Sequence, residues 1–90
     1  MSQIGEMARH LEFTWVGVPP DSPFEGRSLE ELRIRSTIGA SIVAIIRDGA
    51  LVANPDGQAR LHAGDLVALL GTRDQIGRFR QAMPAAPTPV

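Results

Sequence analysis

The chain contains no cysteine, no lysine and no tyrosine, and its aromatic residues are three phenylalanines and one tryptophan. Without cysteine there is no disulfide, no thiolate metal site and no thiol nucleophile. The two histidines, His10 and His62, stand far apart with no carboxylate spacing of a zinc site. All basic residues are therefore arginine, nine against ten acidic residues for a net charge of −1. They are scattered, so no basic stripe exists to displace counterions from a phosphate backbone, and direct nucleic-acid binding is not expected. No apolar run approaches the ~18 residues that span a bilayer. No signal peptide is visible, and the expected location is the cytoplasm. No G-x-G-x-x-G occurs, so nothing reads as a dinucleotide loop. With so few aromatics, Trp15 reads as a core residue rather than a stacking platform.

What remains is a chain of 90 residues, one domain's worth. A domain of that size buries only about 60% of its unfolded surface. Small folds then lean on disulfides, metals or a partner subunit. The composition removes the first two, so a homodimer is expected.

The organising stretch is Ser41 to Gly71, several short apolar runs separated by strong turn signals. Asp48-Gly49 between SIVAIIR and ALVA is a hairpin signal, because a type I′ turn needs φ > 0. Asn54-Pro55-Asp56-Gly57 is a second turn, and Ala63-Gly64-Asp65 a third. Ile42 to Ile46 is apolar without alternation, as is Leu66 to Leu70, which reads as strands covered on both faces. One cover is the helices; the other is a partner.

Upstream, residues 1–10 read as a leader or the end of a linker helix. Leu11, Phe13 and Trp15 alternate with Glu12 and Thr14, a half-buried strand through about Val18. Prolines 19, 20 and 23 force an extended connector. Ser28-Leu29-Glu30-Glu31 is a capping box opening a short helix to about Arg35. Glu31 and Arg35 stand at i, i+4, and Arg33 and Arg35 read as cations at the helix C-terminus. Thr72-Arg73-Asp74-Gln75 caps a second helix that buries Ile76, Phe79 and Met83. Pro84 stops it, and residues 84–90 read as a disordered tail. The expected fold is α+β, a small βαβββα domain over 11–83 with a mixed or antiparallel sheet and two short helices.

Chemistry is sparse. No serine is matched with a His-Asp pair, and no enzyme reading is supported. Asp48, Asp56 and Asp65 all lie in turns, which suits turn-forming carboxylates better than a cation site. Arg47, at the end of the most apolar strand, reads either as a reader of an anionic ligand or as half of an ion pair. In the first reading Ile45 and Val52 supply an apolar floor and Asn54 an amide, at a site where two protomers meet.

Taken in order, Ser22, Gly26-Arg27-Ser28-Leu29, Leu32, Arg35, Gly39, Val43 to Gly49, Pro55, Leu61, Gly64-Asp65-Leu66 and Gly71 resemble the TrkA-C, or RCK C-terminal, domain of potassium transport regulators. The resemblance implies a dimerising regulatory module at the cytoplasmic face of a cation channel, transporter or antiporter. It implies for some members a ligand, cyclic di-AMP or a cation, held between protomers. The alternative it leaves is a purely structural dimerisation module, or an effector domain attached to a transporter or transcription regulator, with no small ligand.

Overall fold

The computed structural model describes residues 10–84; the expectations for residues 1–9 and for the tail from residue 85 lie outside them. The order is β1 (Leu11–Gly17), α1 (Leu29–Leu32), α2 (Ile34–Thr37), β2 (Ser41–Arg47), β3 (Ala50–Ala53), β4 (Leu66–Thr72) and α3 (Arg73–Ala82). The strands form one sheet in the order β1-β4-β2-β3, and every pairing is antiparallel. The helices all lie on one face.

Turn chemistry sets the register. Arg47 pairs with Ala50, so Asp48 and Gly49 form a two-residue loop, with φ of 51° and 77°. Positive φ at both positions is the type I′ geometry that matches strand twist. Asn54 then leaves the sheet at φ 50°, and its N–H donates to the Val43 carbonyl beside an irregularity in the β2–β4 register. Residues 57–61 run back along residues 26–30, tied by hydrogen bonds such as Leu29 N–H to Ala59 O (2.9 Å) and Gly26 N–H to Leu61 O (2.7 Å). That ribbon places Leu61 fully inside the core.

The core lies between the helical layer and the inner sheet face. Val16, Ile45, Val67 and Leu69 of the strands pack with Ile34, Ile76 and Phe79 of the helices. Phe24 stacks edge-on against Phe79, centroids 5.4 Å apart. Both capping boxes form: Ser28 accepts from Glu31 N–H, Thr72 accepts from Gln75 N–H, and each N3 side chain reaches back. Such caps contribute about 1 kcal/mol each.

Two expectations change. The helix from Leu29 is not continuous to Arg35. It breaks at Arg33, which adopts the left-handed conformation at φ 49°, ψ 44°. The break turns Glu31 away from Arg35, and Glu31 pairs with Arg60 instead, at 3.1 Å. Within the single chain the helices cover one face of the strands, and Leu51 and Leu66, on the face expected to meet a partner, are exposed. Second, Trp15 is not a core residue of the chain. It sits on the uncovered face, 41% exposed, edge-on against Phe13 with centroids 5.6 Å apart.

Candidate ligand cleft and its arginines

An open cleft of about 600 Å³ lies beside the broken helix. That lies within the 300–1,000 Å³ range of small-molecule sites. One wall is the broken helix: Leu29, Arg33 and Arg35 line it, with Ile34. The start of β2 contributes Ile42, and the turn Pro55 to Gln58 closes the far side. The wall exists because Leu29 and Leu32 bury one helical face while Ile34 must reach the core two positions later. A single helix cannot satisfy both, so the chain rewinds at Arg33.

A left-handed non-glycine residue costs of order 1 kcal/mol and needs local support. Here the Arg33 carbonyl collects it, accepting from Thr37 N–H (2.9 Å), Thr37 Oγ1 (2.7 Å) and Ser36 Oγ (3.3 Å). Gly39, at φ 91°, then ends α2. Arg33 and Arg35 both line this wall of the cleft. Among the described residues neither makes an ion pair or a side-chain hydrogen bond. Across the cleft Gln58 is engaged with Glu30 at 3.3 Å. The lining combines these arginines with apolar Leu29, Ile34, Ile42 and Pro55 and with the carboxylates Glu30 and Asp56; the arginines offer donors to anionic oxygens and the apolar side chains a surface for flat rings.

Arg47 lies elsewhere. Its Nε–H donates to Asp65 Oδ1 at 2.8 Å, and Nη2 donates to Oδ2 at 2.7 Å and to the Arg60 carbonyl at 2.7 Å. Asp65 Oδ2 also accepts from His62 N–H at 2.8 Å, which makes it the turn residue expected before β4. Burial pushes the Asp65 carboxyl up, but the Arg47 and His62 hydrogen bonds outweigh it and hold the group below its ordinary range. The same bond raises the Arg47 guanidinium further, against burial. Arg47 thus pins the β2–β3 hairpin to the loop that enters β4, with its side chain 38% exposed.

Ile45, the proposed floor residue, is in the core at 3% exposure; Val52 faces it across the hairpin and is half exposed. Asn54 occupies the left-handed corner after β3. None of Arg47, Ile45, Val52 and Asn54 lines the 600 Å³ cleft. The arginines that do, Arg33 and Arg35, carried a signal in the sequence. The apolar spacing Leu29, Leu32, Ile34 slips by one to two residues at Arg33, and a slip of that kind marks a break.

The pattern of the TrkA-C domain matches residues 13–83. The RCK_C domain dimer of S. agalactiae BusR in complex with c-di-AMP superposes with a TM-score of 0.75 at 28% identity, over 79% of this chain and 93% of that one. The RCK C domain of the potassium transport protein KtrA, in complex with the same dinucleotide, gives 0.74 at 24% identity, over 87% and 89% of the two chains, a likeness of fold. The ammonium/H⁺ antiporter subunit AmhM of Alkalihalophilus pseudofirmus is 25% identical over 81 residues, 90% of this chain. The chain spans about half the length of that relative, 48%. With its sheet order, its capped and broken helix and its Gly64-Asp65 turn in place, the chain belongs to the TrkA-C domain family.

Proposed function

We propose that residues 11–83 form a ligand-sensing, dimerising regulatory domain of a potassium or other cation transport system, acting at the cytoplasmic face of a channel, transporter or antiporter. The ligand class is a cyclic dinucleotide such as cyclic di-AMP, bound in the Arg33–Arg35 cleft where a second protomer completes it. The observation that supports this reading is a cleft lined by two arginines without ion-pair partners among the described residues and by apolar side chains, in a fold whose relatives are held in complex with that ligand. The domain performs no chemistry: it supplies binding energy, and the change in protomer pairing is its output. Nucleic acid is not its direct partner, since its arginines form no continuous stripe.

Thermal shift tests this. A ligand that binds only the folded state adds RT ln(1 + [L]/Kd), about 2.7 kcal/mol at a hundredfold excess. Cyclic di-AMP is expected to raise the melting temperature, AMP and divalent cations to do so less, and Arg33→Ala with Arg35→Ala to remove the effect. Arg47→Ala separates the two arginine surfaces: a shift retained there favours the cleft, and one lost there but kept in Arg33→Ala/Arg35→Ala moves the site to the hairpin rim with Val52 and Asn54. If no nucleotide or cation raises the melting temperature, the structural dimerisation reading replaces this one.

A further inference from the structure

The cleft wall carries a hydroxyl beside its two arginines. In Arg33-Ile34-Arg35-Ser36-Thr37, arginine stands three residues and one residue before Ser36. Arg33, Arg35 and Ser36 all line the cleft, and all three are exposed. Arginines ahead of an accessible hydroxyl are what a kinase with an acidic substrate groove selects by charge.

The other hydroxyls of the described residues are engaged or lack that flank. Ser28 and Thr72 cap helices, Ser22 is buried and donates to Met83 Sδ, and Thr14 accepts from Arg80. Thr37 Oγ1 holds the Arg33 carbonyl at 2.7 Å, whereas Ser36 Oγ reaches the same carbonyl only at 3.3 Å. Ser41 also lines the cleft, but Ile38, Gly39 and Ala40 precede it. Ser36 belongs to α2, a single turn between the left-handed Arg33 and Gly39, with Ile34 as its one buried residue. One turn of helix has little stability of its own, so local opening can present residues 33–37 in extended form.

We propose that Ser36 is a phosphorylation site for a basophilic serine/threonine kinase, and that its phosphate closes the cleft to an anionic ligand. The co-reactant is a nucleoside triphosphate. The Ser36 Oγ–P bond forms as the bond between the γ-phosphorus and the β,γ-bridging oxygen breaks. The hydroxyl proton passes to the kinase's base, and the nucleoside diphosphate leaves. The product carries about −1.5 to −2 charges at pH 7 and three acceptor oxygens on the wall that Arg33 and Arg35 share. Those oxygens take the charge-assisted hydrogen bonds that a ligand phosphate would make, and the added charge repels such a ligand. The closing step rests on the cleft reading proposed above; the modification and its pairing with the arginines do not.

Mass spectrometry of the full-length protein isolated from its own cells is expected to find phosphate on Ser36. In protein carrying genetically encoded phosphoserine at position 36, phosphorus NMR is expected to show the phosphate titrating below its usual second pKa of about 6. The value returns to about 6 in Arg33→Ala/Arg35→Ala, and in the same phosphoprotein unfolded in urea, a control that needs no variant to fold. Isothermal titration is then expected to give cyclic di-AMP binding weaker by roughly tenfold or more than to the unmodified protein. A Ser36 without phosphate in the cellular protein overturns the proposal, as does a phosphate that titrates alike in folded and unfolded protein. A phosphoprotein that binds cyclic di-AMP as tightly as the unmodified one overturns the closing step. An unmodified protein that binds none overturns that step together with the cleft reading, and the mass and NMR results then decide the modification by themselves.

Discussion

Replacing Arg47 by methionine keeps the aliphatic stem and deletes the guanidinium. Asp65 then keeps only the His62 amide of the three donors it has now, while its side chain stays 1% exposed. Breaking a buried pair by removing one partner costs about 3–5 kcal/mol. The Arg47 side chain is 38% exposed, so solvent screens part of that interaction, and a loss of about 2–3 kcal/mol is expected. Against the 5–15 kcal/mol of a typical domain this is a large share, and it lowers the melting temperature by roughly 10 °C or more. The pH dependence carries the mechanism. In the wild type the Asp65 pKa lies below its unfolded value of about 3.9. A group depressed on folding stabilises above the unfolded pKa and loses that contribution as pH falls through the folded one. The gap between wild type and Arg47→Met is therefore widest near neutral pH, begins to shrink below about pH 4, and closes as pH falls through the depressed wild-type pKa, where the carboxyl becomes neutral in both. Urea denaturation at a series of pH values measures it. A gap that is absent at pH 7, or that widens on acidification, refutes the argument.

Arg33→Gly is expected to stabilise the fold by up to about 1 kcal/mol, because glycine takes the left-handed conformation without strain, while cyclic di-AMP binding weakens. Calorimetry on the free and ligand-titrated variant reads both effects. Gly49→Val forces a β-branched residue to φ 77° and is expected to cost about 1–3 kcal/mol, seen as a lower urea midpoint. Gly39→Ala adds strain at φ 91° and places a Cβ against the Gln75 amide, so it loosens the α3 capping box and lowers the melting temperature by several degrees.

Much of the fold was legible because it is written in local chemistry. Asp48-Gly49, Asn54-Pro55, Gly64-Asp65 and the two capping boxes each specify a backbone conformation within four residues. Strand sidedness was half legible. The alternation of Leu11, Phe13 and Trp15 with Glu12 and Thr14 defines two faces, but not which one the helices cover. The more apolar face of β1 turned out to be the uncovered one, since Val16 rather than Trp15 meets the helices. The Arg47–Asp65 pair joins residues 18 apart, and no local pattern distinguishes it from a free strand-end arginine. The cleft was hidden for a related reason. It gathers residues from α1, α2, β2 and the Pro55 turn, and it is lined by the helix break at Arg33, which no local pattern placed beside β2 and that turn.

Isothermal titration of cyclic di-AMP into the wild-type domain and into Arg33→Ala/Arg35→Ala tests the sensing role most directly. Saturable binding at one ligand per two wild-type chains, lost in the double variant with the fold retained, is the expected result. Undiminished binding in that variant, or no heat from the wild type at any concentration, would contradict it.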